Sequence, residues 1–410
     1  MATAGLFDRW VDACALSYSS PNASRPRDVL GTLMLGILAG SKRYAHIADV
    51  RGDAVAAQAL GLKGLVSEDS VRRALKAMKP EATEPWMREA LMRSVRDALD
   101  LPWVMDIDAT VKPLYGHQEG AEIGYNPHKP GRPSHVLHTF WVGNLRLVLD
   151  AQLSSGKEHS SGHGKAALGR LLDELGERGP ALVRGDCGYG NEDIIDVCEQ
   201  RGKPYLLRLR KTANVKRLIE RLSTRQDWTR ATQASQGWQA TQDSLKLVGW
   251  SKARRVVVLR RRVKNDLALT VKKRGTKGKS EPGQMVLALP ADEVQDSAQM
   301  WAYTVLVTDV KYELAAIGQL YRDRCDCRTC QVCGFDEPQR QWGWGGFTTQ
   351  DMHRSQATAR AVALHHVAWK SRSRPEAARH PCRGRIRTIA RRAVPSSGRI
   401  AQGAATRRVR

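Results

Sequence analysis

Three aspartates stand where this 410-residue chain could do acid chemistry. In WVMDIDATVKPLY (Trp103 to Tyr115) an apolar run ends in Asp106 and Asp108 and is followed at once by small polar residues, the pattern of a buried strand that carries acid at its exit. Further on, PALVRGDCGYGN (Pro180 to Asn191) repeats the design, with a short apolar strand and then Asp186 in a glycine-rich turn. Two strand-end carboxylates in one basic chain point to a divalent-metal site. Mg²⁺ demands oxygen ligands and is usually held by one or two carboxylates plus substrate phosphates, with water completing the octahedron. The competing assignment is a cap, because an aspartate after a strand often closes the next turn or helix.

Charge says what such a site would act on. Lys and Arg number 66 against 42 Asp and Glu, a net charge of +24, and the pI is about 10.0. Each Lys or Arg placed on a phosphate releases a condensed counterion, so a polyanionic partner is expected, nucleic acid ahead of an anionic membrane. The longest apolar stretch, Val29 to Ala39, is eleven residues with two glycines. That is far short of the roughly twenty that span a bilayer. MATAGLFDRW lacks the basic start and apolar core of a signal peptide, so a cytoplasmic, DNA-associated protein is expected.

The elements that must position the acids follow from periodicity. Residues 1–26 are poorly patterned and read as a flexible N-terminus. Residues 27–100 read as a helical DNA-binding domain: Val29, Leu30, Leu33, Met34, Ile37 and Leu38 recur at three and four. In VSEDSVRRALKAMKP, Ser67 is placed as an N-cap and Arg72, Arg73 and Lys76 follow on one helix. That helix is either the recognition helix of a helix-turn-helix or a solvated amphipathic helix.

From 101 to 210 the order is strand, a long Gly-, Pro- and His-rich loop, two strands around Gly143-Asn144, helix, strand, helix, strand, which is α/β. His117, His128, His135 and His138 are not at metal-ligand spacing, and phosphate contact by Lys129 and Arg132 is preferred for this loop. Residues 211–300 hold scattered basic residues with Trp228, Trp238 and Trp250, and read as a β-rich insertion whose aromatic-interleaved basic edge suits DNA. Residues 301–370 supply a further strand and helices. Residues 371–410 form a basic tail with twelve Arg and one acid, expected to be disordered.

The helix near 314 carries the next clue, ELAAIGQLYRDRCDCRTC, with WGWGGF (Trp342 to Phe347) beyond it. With Tyr321 and Arg324 in that spacing, the chain resembles the DDE transposases of bacterial insertion sequences. Their helix signature is Tyr, two residues, Arg, three residues, Glu, six residues, Lys. The resemblance runs from about Ser24 to Lys370. It implies an RNase H-like mixed sheet flanked by helices, interrupted by the insertion and preceded by the helical domain. Asp108 and Asp186 match the family's two metal-binding aspartates, Asp108 rather than Asp106 because a small residue and Thr follow it. The implied cofactor is Mg²⁺ or Mn²⁺, and the implied partners are double-stranded terminal inverted repeats and a second protomer. Tyr321 and Arg324 would contact phosphate near the cleaved strand.

The third acid departs from the pattern. The signature places Glu at 328 and Lys at 335, where this chain has Arg328 and Phe335. Glu337 is a distant substitute, followed by the helix-disfavouring Pro338. Cys325, Cys327, Cys330 and Cys333 crowd the same stretch. They are either part of an off-frame scar, as the Lys-free tail suggests, or a ligand set for zinc or an iron-sulfur cluster. Three functions follow: an insertion-sequence transposase weakened by loss of the third carboxylate, a catalytically dead DNA-binding remnant or regulator, or a cysteine-cluster metalloprotein.

Overall fold

The computed structural model describes residues 5–18, 20–52, 54–127, 129–158, 160–233, 235–262, 301–329, 343–347 and 349–372. The chain divides into two units: one draws on Met1–Leu207 and Tyr321–Arg410, the other on Arg208–Leu320. Glu337, Cys330, Cys333 and the tail beyond 372 lie outside the described residues.

In the first unit, α1 (Leu6–Asp12), α2 (Pro26–Leu38), a 3-10 turn (Tyr44–His46), α3 (Ile47–Val50), α4 (Ala54–Ala59), α5 (Glu68–Ala77) and α6 (Pro80–Val95) precede the sheet. Within residues 1–26, read from the sequence as a flexible N-terminus, Leu6–Asp12 is helical. Phe7 and Trp10 of α1 are buried, and Trp10 stacks on Trp86 of α6 at 5.3 Å, so aromatic burial orders a helix too short to announce itself by period. Helix α2 starts at Pro26, whose missing N–H costs nothing at a first helical position, and of the apolar set read from the sequence it buries Val29, Leu30, Leu33, Met34 and Ile37 and leaves Leu38 exposed.

The sheet of this unit contains β1 (Val104–Pro113), β2 (Ser134–Val142), β3 (Leu147–Ser155), β4 (Leu182–Gly185) and β5 (Tyr205–Arg208), in the order β3-β2-β1-β4-β5. β1, β2 and β3 are antiparallel neighbours, whereas β4 runs parallel to β1 and β5 parallel to β4. Helices α7 (Ser160–Leu175) and α8 (Glu192–Gln200) make the crossovers between them. This mixed α/β sheet with flanking helices is the RNase H-like arrangement. Strand β3 lies at its edge, and α11 (Met352–Arg372) covers it: Gln356 bonds the Leu153 N–H and the Ala151 carbonyl, and Arg360 the same carbonyl at 3.1 Å. Helices α6 and α11 also pack on each other.

Residues 343–347 of the WGWGGF motif fasten this helical layer. Trp344 meets Trp141 edge-on at 5.7 Å, Phe347 meets Tyr44 at 5.3 Å, and the Phe347 N–H donates to the Lys42 carbonyl. A Cβ on Gly346 would lie 1.9 Å from that carbonyl oxygen, so the approach requires glycine.

The second unit contains α9 (Ala213–Ser223), β6 (Gln239–Leu245), β7 (Arg254–Arg262) and β8 (Trp301–Thr308), with β7 paired antiparallel to both neighbours. Its core is the continuous buried run Val256 to Leu259 of β7 against Val305 to Val307 of β8. Helix α10 (Leu314–Thr329) returns the chain to the first unit.

Candidate active site

The parallel pairing of β1 and β4 sets the site. Asp106 lies opposite Arg184 and Ile107 opposite Gly185, so the next step along each chain is Asp108 and Asp186. Alternation puts Asp106 and Asp108 on one face of β1, and Arg184 and Asp186 on the matching face beside it.

The two acids of β1 have different surroundings. Asp106 forms a bidentate ion pair with Arg184, both contacts 2.7 Å and both side chains fully buried. Gly143 makes room, since a Cβ there would sit 2.1 Å from Asp106 Oδ2. Asp108 Oδ1 accepts from Arg324 Nη2 at 2.9 Å, and the same nitrogen donates to the Ile107 carbonyl at 2.8 Å. Asp186 is half-buried and accepts from the Gly188 N–H at 2.9 Å, closing the glycine-rich turn. That contact is the turn-closing cap.

Electrostatics ties the group together. Burial alone would lower the Arg324 pKa, yet Asp108, Asp106, Tyr321 and Asp186 hold its guanidinium well above the usual arginine range. Tyr189 of the same turn is fully buried, and burial, Asp108 and Asp186 raise its hydroxyl well above the ordinary phenol. Its hydroxyl donates to the Asp108 carbonyl at 3.3 Å and lies 3.0 Å from His138 Nδ1, while His138 Nε2 is 2.9 Å from Ser154 Oγ. Burial, with His163 stacked beside it at 4.5 Å, pushes His138 down to about 3, so it is neutral.

Of the residues singled out in the sequence, Asp108, Asp186, Tyr321 and Arg324 come together. Tyr321 and Arg324 are 3% and 1% exposed, so they belong to the interior of the site rather than to an outer DNA-contact surface. Arg72, Arg73 and Lys76 lie exposed on α5, opposite its buried Val71, Ala74 and Leu75, and Ser67 caps the helix by accepting from the Ser70 N–H. Lys129 and Arg132 are exposed on the β1–β2 loop, each 4.8 Å from the centre of the Tyr115 ring. Arg328 falls in α10.

Sequence inspection missed Arg184 and Tyr189, and weighed His138 only as a metal ligand. The signal for Arg184 was a lone arginine inside an apolar strand, two residues before Asp186, in the same phase as Asp106 before Asp108. Among the described residues no three His, Cys, Asp or Glu side chains gather as a metal-binding group, and no helix is long and apolar enough to cross a membrane. Two aspartates on adjacent strands nevertheless fit an ion that takes its other ligands from water and phosphate.

No curated protein matches the chain. Among solved structures it is similar to a piggyBac transposase synaptic complex with hairpin DNA, at 10% identity and a TM-score of 0.38, covering 98% of this chain and 84% of that one. It is also similar to the Mos1 transposase paired-end complex with the left transposon end, at 13% identity and a TM-score of 0.18, covering 38% and 56%. The family model Transposase DDE domain group 1, however, matches residues 3–273 of the 410, a span that includes Asp108 and Asp186 and ends before Tyr321. On that match, the chain belongs to the DDE transposases.

Proposed function

We propose that this chain is a DNA transposase of an insertion sequence, binding the terminal inverted repeats of its own element as a pair of protomers. Asp108 and Asp186 would hold Mg²⁺ or Mn²⁺ at the reacting phosphate. The observation that carries this is the parallel β1–β4 pairing, which ends one step before Asp108 and Asp186, with Arg324 against the first. The ion, when bound, supplies Lewis acidity at the phosphoryl oxygens and an activated water or 3′-hydroxyl.

The chain's own groups do the rest. The Asp106–Arg184 pair fixes the register that brings the acids level. Tyr189 and His138 hold the β1 backbone at Asp108 in a dry pocket. Tyr321 and Arg324, buried beside Asp108, would meet the phosphate near the cleaved bond only once it enters the site and draws the guanidinium from Asp108. The exposed bases of α5 and of the β1–β2 loop, Arg72, Arg73, Lys76, Lys129 and Arg132, neutralise the backbone of the bound duplex. Arg328 stands at the signature position of the third carboxylate, so strand cleavage is slow while end binding persists.

The test is paired. Duplexes that carry the element's ends are assayed for binding and, with Mg²⁺ or Mn²⁺, for nicking. Asp186→Asn should abolish the nicking and leave binding unchanged; nicking that survives the substitution removes Asp186 from the chemistry. A DNA binder that never cuts is the alternative, favoured by the Arg324 contact on Asp108. It requires that neither ion support any nicking by the unaltered chain.

A further inference from the structure

Arg324 sits on the carboxylate that the proposed function assigns to the metal. Its Nη2 is 2.9 Å from Asp108 Oδ1, and the two side chains are 1% and 5% exposed, so no bulk water screens the pair. The same nitrogen is also anchored to the Ile107 carbonyl, which fixes the guanidinium beside the strand. A divalent cation on Asp108 would therefore meet a fixed positive charge at contact range. Arg324 Nε, in turn, is a buried N–H with no hydrogen-bond acceptor among the described residues. Such a donor is costly to leave unmade, and a phosphate oxygen is a fitting acceptor.

We propose that Arg324 and a divalent cation compete for Asp108, so that metal loading is coupled to DNA: a backbone phosphate takes the guanidinium, and Asp108 is released to the ion. This rests on the metal-site assignment above. The coupling is reciprocal by linkage, so metal also tightens the phosphate contact. Arg324 acts here as a positioning residue, reaching the ion through Asp108. Neither partner of the pair is lost in the exchange: Asp108 trades one cation for another, and Arg324 trades a carboxylate for a phosphate.

The test is Mn²⁺ binding by the full chain, followed by the loss of the free-ion resonance signal, with and without a short blunt DNA duplex. Without DNA, Arg324→Gln should bind Mn²⁺ about tenfold more tightly than the unaltered chain, and Arg324→Lys, which keeps a cation, should not. Duplex should tighten Mn²⁺ binding by the unaltered chain about tenfold and leave Arg324→Gln unchanged. Equal or weaker Mn²⁺ affinity in Arg324→Gln, with native circular dichroism, overturns the competition. If that variant does not fold, the unaltered chain still decides, because duplex-independent Mn²⁺ affinity also overturns it. Asp108→Asn separates the two levels: Mn²⁺ binding that survives it shows the ion is elsewhere and removes the metal-site assignment itself.

Discussion

Asp106 and Asp108 are two residues apart and share a strand face, yet one is structural glue and the other faces the site. The difference lies in what β4 brings opposite: Arg184 for Asp106, and the turn after Gly185 for Asp108. Asp106→Asn would leave the Arg184 charge buried with one neutral partner, and should cost about 3–5 kcal/mol in denaturant unfolding. The double change Asp106→Leu with Arg184→Met removes both charges and should recover most of that loss, since an apolar pair avoids the desolvation penalty. Retention of full stability by Asp106→Asn alone would mean that the pair does not fix the β1–β4 register. The strand-end acids were legible because a carboxylate closing an apolar run is rare. Their division of labour was not, because it depends on a strand seventy-eight residues away, and only pairing reveals it.

His138 gives the residue scale a pH signature. Its folded pKa of about 3 lies below the ordinary value of 6.5. The unfolded chain therefore takes up a proton that the folded chain refuses as pH falls below 6.5. The stability that the neutral imidazole supports is complete above 6.5 and is lost progressively towards 3, by a few kcal/mol in all. Urea unfolding at pH 7 and pH 5 should show the drop, and His138→Gln, which cannot titrate, should flatten it. An unchanged slope in that variant would mean that other groups carry the acid sensitivity.

At the scale of elements, α5 separates its two jobs by face, with Val71, Ala74 and Leu75 inward and Arg72, Arg73 and Lys76 outward. The amphipathic and the DNA-reading interpretations of its sequence are both compatible with that division. The 3.3 Å pair between Arg73 and Asp69 is exposed and contributes little to stability. Replacing all three bases by Ala should thus leave the melting temperature unchanged while weakening duplex binding. If each base neutralises one phosphate, the slope of log affinity against log salt should fall by about 2.7. An unaltered slope would assign DNA contact to other elements. The WGWGGF segment behaves in the opposite way. Gly346→Ala puts a methyl into the Lys42 carbonyl, and should cost about 1–3 kcal/mol by prising the segment from the helical layer. The motif was visible in the sequence, but its purpose was not, because glycine marks a close approach without saying to what.

Across the whole molecule the positive charge is unevenly shared. Residues 208–320 hold twenty-two Lys and Arg against ten Asp and Glu, a net of +12 from a chain total of +24. The charge is also organised. Arg260 of β7 lies 3.9 Å from the centre of the Trp228 ring and 4.4 Å from that of Trp301, so one guanidinium is layered between two indoles, and Arg262 lies over Trp301 at 5.9 Å. The interleaving of Arg with Trp was readable as composition. What composition could not give is that β7 and β8 set the pairs opposite one another, Arg262 facing Trp301 and Arg260 facing Tyr303. A stacked guanidinium keeps its edge N–H groups directed outward for phosphate while its faces are held by the rings. Arg262, exposed, should therefore contribute to duplex affinity. Arg262→Ala in the full chain should weaken binding and lower the salt slope by about 0.9, whereas Arg262→Lys should keep the slope and lose part of the affinity because an ammonium cannot layer on Trp301 in the same way. Equal affinity for all three proteins would confine DNA contact to the first unit and leave the excess charge of the second to another polyanion.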